Sequence, residues 1–433
     1  MTFMKLPPFS LKFILGTLLA TLPLKIGYAF EIGINTHLRW YPEEQDHYLN
    51  LISNYGFNSF RDDYLWGLVE QQKGTYQPVD KLIRVDKSLL VANKNYGMNP
   101  IAVLAYGNDL YDKSGYASND ESIAAYANYA YWTAKRFKGK VKYYEIWNEW
   151  SVGTGTHNKS PAPPPAQVYY KLIKQASIAI KRADPGAIVL AGSFDPLGND
   201  GLKWSDDLIK LGMLNYIDGI SIHPYSFKSS DKSLTTPEGN IEKIDGYQEE
   251  LKRLVGKEVP IYITEIGVPT NAGKFGYSED YVAQYVVKYT LLAKARGYIK
   301  GVWWYDLSDD GDNNQNIEHR FGLLRKNGSK KPSMESYEKI ADLIKNYSVK
   351  NYNVTTDGKV NLIFSNGKKE ARVSWKKNDT QEGRNSTTGR IMSLMTSSKP
   401  SSQIITALVI EDPTQKSQPA VSADTPVITF GNE

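Results

Sequence analysis

Eight short apolar runs rich in β-branched residues recur between residues 31 and 308, each followed by a stretch with helical periodicity. They begin near Glu31, Phe57, Met98, Val141, Ala187, Ile217, Val259 and Ile299, at spacings of 26 to 46 residues. One strand plus its crossover helix takes that length. Strand alternating with helix argues for a parallel sheet. Eight units over about 320 residues predict closure into an α/β (β/α)8 barrel, over residues 30–348. An open doubly wound sheet is the alternative. No glycine-rich GxGxxG follows the first run, so a dinucleotide-binding version has no support.

Helix ends can be read between the runs. One helix opens at Pro42-Glu43-Glu44 and stops at Gly56; another has Ser278 as a cap, with Glu279 and Asp280 in its first turn. After about Ser348 the pattern changes to short strands: Asn351–Thr355, Lys359–Phe364, Ala371–Lys376, Ile404–Ile410 and Pro426–Phe430. Asp357-Gly358 and Asn366-Gly367 are hairpin signals between them. Residues 349–433 are therefore expected to form a small, sandwich-like all-β domain, with a Ser/Thr-rich segment from Asn378 to Ser402 as a long loop.

The first 29 residues read as an export signal. Met1–Lys12 is basic, Phe13–Leu24 is apolar, and Gly27-Tyr28-Ala29 offers small residues for cleavage after Ala29. A membrane anchor is the competing reading, but a spanning helix needs about 20 apolar residues and Lys25 ends this run early. The expected destination is the periplasm or the exterior. Removing this segment takes three lysines with it and lowers the net charge from +5 to +2, no electrostatic footprint for nucleic acid. With no cysteine, disulfide scaffolds and Cys-based metal centres are excluded. Thirty tyrosines and nine tryptophans suit a sugar-binding surface, or simply half-buried packing.

In such a barrel, chemistry sits at the C-terminal ends of the strands. The fourth run ends Trp147-Asn148-Glu149 and the seventh Thr264-Glu265-Ile266-Gly267. The 116 residues between the two glutamates span three units, so the carboxyls face each other across the barrel mouth. Glycoside cleavage needs such a pair, one protonated to donate to the leaving oxygen and one ionised. A lone glutamate at a strand end is more often a cap or an ion-pair partner; two in these contexts favour catalysis.

These motifs resemble the clan A glycoside hydrolases. Gly33–His37 (GINTH), Phe60–Tyr76 (FRDDYLWGLVEQQKGTY), His223-Pro224-Tyr225 and Val302–Leu307 (VWWYDL) extend the likeness over residues 31–348. The combination is most similar to family 39-like members, which include β-xylosidases and bacterial exopolysaccharide endoglycosidases. The resemblance implies a retaining enzyme with Glu149 as general acid/base and Glu265 as nucleophile. It further implies that Asn148 binds the sugar 2-hydroxyl and that Arg61 holds Glu265 ionised, the alternative for Arg61 being a barrel-interior pair with Glu145. By the same likeness Tyr225 hydrogen-bonds Glu265, and His223 orients a carboxylate or a hydroxyl. Trp303 and Trp304 are adjacent on one strand and must point to opposite faces; one of them is expected to stack on the sugar. Asn35 and His37 end the first strand and either bind hydroxyls or pack. Trp66, Tyr106, Asp109 and Trp150 are further candidates for the cleft wall.

The loops after these strands should set the substrate. Ser151–Pro165 ends in Pro-Ala-Pro-Pro-Pro and reads as a stiff wall. Asp306–Arg320 carries Asp309, Asp310 and Asp312, but an EF-hand count from Asp306 puts Ser308 at position 3 and Ile317 at position 12. A sugar-binding polar rim is expected there, with no metal and no cofactor. The expected partner is an oligo- or polysaccharide. A non-catalytic carbohydrate-binding protein on the same barrel, or a transglycosylase, remains an alternative.

Overall fold

The structure, a computed structural model, describes residues 30–157, 164–377 and 427–432. Eight strands close a barrel in sequence order: β1 (Glu31–Asn35), β2 (Ser59–Leu65), β3 (Ile101–Ala105), β4 (Tyr143–Ile146), β5 (Ile188–Phe194), β6 (Gly219–Ile222), β7 (Ile261–Ile266) and β8 (Ile299–Trp304). Every pairing is parallel, and β8 closes on β1. The expected barrel is correct, and each strand begins within three residues of its predicted start. Helices α1 (Gln45–Asn54), α2 (Trp66–Val69), α3 (Asp80–Tyr96), α4 (Asp120–Arg136), α5 (Ala166–Ala183), α6 (Asn199–Lys210), α7 (Pro237–Val255), α8 (Glu279–Lys294) and α9 (Pro332–Asn346) lie between and after the strands. Ser278 caps α8 as expected, accepting from Tyr281 N at 3.2 Å. None of the described helices is long and apolar enough to cross a membrane.

Two apolar layers hold this arrangement. The larger joins the outer strand faces to the helices. The smaller fills the barrel itself with Ile101, Val103, Tyr143, Ile188, Leu190, Tyr262 and Trp303. Aromatics that large fit only where the opposing backbone carries no side chain. A Cβ on Gly33 would lie 2.1 Å from the Trp303 ring, and one on Gly219 would lie 2.4 Å from Tyr262.

The C-terminal strands β9 (Ser348–Val354), β10 (Lys359–Ser365), β11 (Lys369–Lys376) and β12 (Val427–Asn432) form one antiparallel sheet in the order β12-β11-β10-β9. Both predicted hairpin turns are present, with Gly358 and Gly367 at φ +83°. Val360, Leu362 and Phe364 alternate inward on β10, as do Ala371, Val373 and Trp375 on β11. That face joins the apolar core of the barrel helices. Trp375 Nε1 donates to Glu238 of α7 at 2.5 Å, and Arg296 donates to Tyr352 of β9 at 3.2 Å. The small C-terminal all-β unit is thus present as expected, and among the described residues the barrel's own helices cover one face of its sheet. The strand expected at Ile404–Ile410, the Asn378–Ser402 loop and the signal segment lie outside the described residues.

Candidate active site

A cleft of about 490 Å³ opens at the C-terminal ends of the strands. Asn35, His37, Arg61, Tyr106, Asn148, Glu149, Tyr225 and Glu265 line it. Local backbone irregularities aim these side chains. Among the described residues, the non-glycine residues with positive φ are Trp147 (66°), Glu149 (52°) and Ser193 (41°). Each such conformation costs about 1–3 kcal/mol and persists only when its surroundings hold it. Here Trp147 Nε1 donates to Thr154 O at 3.0 Å, and Glu149 N donates to Ser193 Oγ at 2.9 Å. The chain thereby leaves strand geometry after Ile146, and the consecutive Asn148 and Glu149 both reach the cleft. On β7 the register against β8 shifts between Ile263 and Ile266. Such a bulge breaks the alternation of faces. Thr264 Oγ1 thus lies inside, donating to Glu145 at 2.9 Å and lying 3.1 Å from His223 Nε2, while neighbouring Glu265 also faces the cleft.

Arg61 is the hub of the site. Its Nε donates to Glu145 Oε2 at 2.6 Å and its Nη1 to Glu265 Oε1 at 2.6 Å. Nη1 also reaches Asn35 Oδ1 at 2.9 Å, and Nη2 reaches Asn148 Oδ1 at 2.8 Å. One guanidinium thus serves both the buried Glu145 and the cleft-facing Glu265. Burial alone would raise Glu145, but the Arg61 charge, with His223 and further hydrogen bonds, holds it below the usual carboxylate range.

Glu149 and Glu265 come together as expected: one oxygen of each lies within 4.8 Å of the other. His223 Nδ1 sits beside both, 3.1 Å from Glu149 Oε1 and 3.7 Å from Glu265 Oε2. Tyr225 donates to Glu265 Oε2 at 3.0 Å, and Thr154 donates to Glu149 Oε2 at 3.2 Å. Burial opposes a charge on His223, but the Glu265 charge and the bond to Glu149 outweigh it and raise the imidazole above its usual value. Burial likewise pushes Glu149 up, and the His223 bond and charge push it further down. Both shifts favour the ion pair of an imidazolium with a carboxylate.

Asn35 is buried. Its amide donates to Thr264 O at 3.0 Å while its oxygen accepts from Arg61, so it positions the guanidinium. His37 bonds Asp310 at 2.9 Å and lies 3.7 Å from Asp306. Burial opposes its charge, but the Asp310 bond and the nearby aspartates outweigh it and raise it to about 10. Asn148 donates to Tyr106 at 3.2 Å, which fixes its amide across the cleft floor.

The tryptophan expectations need correction. Trp303 points inward and Trp304 outward, as alternation requires, but neither lines the cleft. Trp303 lies below it in the barrel core, donating to Ser59 at 2.8 Å; Trp304 packs on α8 and donates to Thr290 at 3.2 Å. The next residue, Tyr305, takes the cleft position. Trp66 and Trp150 are also fully buried, and Asp109 pairs with His157 at 2.7 Å outside the lining. In the Asp306–Arg320 loop, Asp309 is buried against Lys331 (2.7 Å), Asp312 pairs with Lys326 (2.7 Å), and Asp310 pairs with the cleft-lining His37 (2.9 Å). Of the Ser151–Pro165 wall, residues 158–163 lie outside the described residues. The sequence reading missed Thr154, Ser193, Thr264, Tyr305, Arg39, Trp40 and the Phe227-Lys228 pair. Their position after a strand end was the available signal for Tyr305, Arg39 and Trp40; Thr264 was hidden by the bulge. Glu149–His223–Glu265 and His37–Asp306–Asp310 each group their donor atoms within 4.8 Å, close enough to share a cation. Cleavage by two carboxylates takes none.

An eight-stranded parallel barrel with two facing glutamates, one just after β4 and one on β7, is the arrangement of a clan A glycoside hydrolase, and its relatives agree. The sequence pattern of the cellulase family (glycosyl hydrolase family 5) matches residues 26–309, and the chain belongs to that family. Among solved structures, a family 39 glycoside hydrolase from the gut symbiont Bacteroides cellulosilyticus WH2 is similar at 25% identity and a TM-score of 0.65. That match covers 81% of this chain and 71% of the other. Xylanase 10B from Thermotoga petrophila RKU-1, solved with xylobiose, shares the fold at 17% identity and TM-score 0.54, over 73% of this chain and 95% of the other. The exo-β-1,4-mannosidase Op5Man5 from Opitutaceae bacterium strain TAV5 does so at 16% identity and TM-score 0.54, over 73% and 60%. No curated protein matches the sequence.

Proposed function

We propose that this glycoside hydrolase cleaves β-linked glycans with retention of configuration, acting within polysaccharide chains. The observation that carries the reading is that one oxygen of Glu149 lies within 4.8 Å of one oxygen of Glu265. Retaining enzymes hold their carboxyls about 5–5.5 Å apart, whereas inverting ones leave about 6.5–9.5 Å for a water. Glu265, ion-paired with Arg61 and bonded by Tyr225, attacks the anomeric carbon as the glycosidic C–O bond breaks. The leaving oxygen takes the proton of the His223–Glu149 pair; the tautomer with that proton on Glu149 is the donor. Water then gives a proton back to Glu149 as its oxygen attacks the same carbon, and the Glu265 carboxylate is released. Asn148, fixed between Arg61 and Tyr106, meets the 2-hydroxyl. The apolar and basic pattern of residues 1–29 makes the enzyme an exported one, periplasmic or secreted, where polymers are met.

The acid role has its own signature. Glu149→Ala lowers kcat/KM about 10²- to 10⁴-fold on glycosides with poor leaving groups. Glycosides of acidic phenols, which need no proton, lose far less. A leaving-group series on both enzymes reads the difference, and parallel losses across the series would remove Glu149 from that role.

A further inference from the structure

A buried polar atom without a partner calls for an explanation such as a bound ion. Asp306 Oδ2 is one: the residue is 1% exposed, and this oxygen has no hydrogen-bond partner among the described residues. It faces His37, whose Nδ1 lies 3.7 Å away, beyond hydrogen-bond reach. The same Nδ1 lies 2.9 Å from Asp310 Oδ1. One donor atom of each of the three residues lies within 4.8 Å of the others, and none of the three belongs to the Glu149–His223–Glu265 group. Two rings stand between the groups. His37 meets Tyr305 at 5.7 Å between centroids, and Tyr305 meets Tyr225, the partner of Glu265, at 6.4 Å.

The main chain fixes both sides of the cluster. His37 follows β1, and its carbonyl accepts from Trp40 N at 2.7 Å and Tyr41 N at 3.2 Å. Asp306 follows β8, and its carbonyl accepts from Leu323 N at 2.9 Å. Leu307 N donates to Asn35 O at 3.0 Å, which joins the two strand ends. The spacing suits a small divalent cation. With metal–ligand bonds of about 2.1 Å, two ligand atoms lie about 3.0 Å apart at a right angle and about 3.4 Å apart at the tetrahedral angle. The two measured edges, 2.9 and 3.7 Å, bracket that range. One imidazole and two carboxylates form a zinc-type donor set, whereas calcium takes six to eight oxygens. Asp62 and Asp309 add negative charge nearby, and Lys331, bonded to Asp309 at 2.7 Å, offsets part of it. The His37 and Asp310 side chains are each 29% exposed, which leaves an entry path and room for water ligands.

We propose that His37, Asp306 and Asp310 form a binding site for a first-row divalent cation of the zinc type, contrary to the metal-free rim expected from the sequence. The cation clamps the end of β1 to the loop after β8. Binding displaces the Nδ1 proton of His37 to solvent, because only the bare nitrogen can ligate. The site is independent of the proposed reaction.

Isothermal titration of the untagged, chelator-treated protein with Zn²⁺ tests it, beside the variants Asp310→Asn, His37→Phe, Asp306→Asn and Glu265→Gln. One Zn²⁺ per chain is expected at this site in the parent and in Glu265→Gln. Loss of even an outer-shell partner costs about 10- to 100-fold in metal affinity, so Asp310→Asn and His37→Phe weaken binding by at least that much. Zn²⁺ raises Tm in the parent and in Glu265→Gln but not in these two variants. Asp306→Asn follows them; where it fails to fold, Asp310→Asn, on the exposed side, decides. Three results would each overturn the site: no binding by the parent, full affinity in both Asp310→Asn and His37→Phe, or tighter binding of Ca²⁺ than of Zn²⁺. Loss of binding in Glu265→Gln alone would overturn it too, since the cation would then lie between the catalytic glutamates.

Discussion

Glu265→Gln lowers turnover by roughly 10⁴-fold or more while the protein stays folded and still binds glycan. The size follows from what the amide cannot do: it is nearly isosteric, but it has no charge with which to attack the anomeric carbon. Folding survives because Arg61 keeps its 2.6 Å bond to Glu145 and its bonds to Asn35 and Asn148. A shorter variant separates the nucleophile from every other role. Glu265→Ala opens space for azide, which attacks the same carbon and gives a glycosyl azide of inverted configuration. Rescue by azide with that product is expected. Substantial turnover by Glu265→Gln, measured after exhaustive removal of parent enzyme, would end the nucleophile assignment.

Arg61→Met costs about 3–5 kcal/mol of stability, because it strips the partner from buried charges. Glu145 is fully buried and Glu265 nearly so, and both take 2.6 Å bonds from this one guanidinium. Arg61→Lys does not restore the site, since one ammonium cannot serve four acceptors in a plane. The deficit has a pH dependence with a definite sign. In the parent protein Glu145 is held below its usual value of 4.5, so it contributes stability above that value and loses it as pH falls through the lowered one. Without Arg61 that contribution is gone. The gap between parent and variant is therefore full near neutral pH and narrows in acid. Guanidinium unfolding at two pH values reads it; a loss under about 1 kcal/mol at neutral pH would mean that solvent, not Arg61, compensates these carboxylates.

Legibility from sequence tracked regularity of backbone. The eight strands were visible because each is a compact apolar run between turn residues, and the two glutamates because each ends such a run. His223 and Tyr225 were visible because they follow such a run, and Arg61 through the family likeness, although it lies within β2 and not at its end. Residues whose role depends on irregular backbone were not. Thr264 should face away from the barrel interior if Glu265 faces the cleft, and only the slipped register of β7 against β8 brings both in. Ser193 matters through its left-handed backbone, which presents Oγ to Glu149 N. The tryptophans misled for a packing reason. Alternation correctly sent the pair to opposite faces, but it says neither which turns inward nor how deep, and the glycines facing Trp303 make room for its ring below the cleft floor. Trp40, the exposed one, sits in a loop where periodicity carries no signal. The C-terminal sheet was legible strand by strand, whereas its covering layer depends on tertiary contacts with α7 and α8.

The most direct measurement is the anomeric configuration of the first-formed product, followed by proton NMR in the first minutes of hydrolysis before mutarotation. With one oxygen of Glu149 within 4.8 Å of one oxygen of Glu265, the account predicts a product of the same β configuration as the substrate. A first product with inverted, α configuration would contradict it, because water and not Glu265 would then have displaced the leaving group.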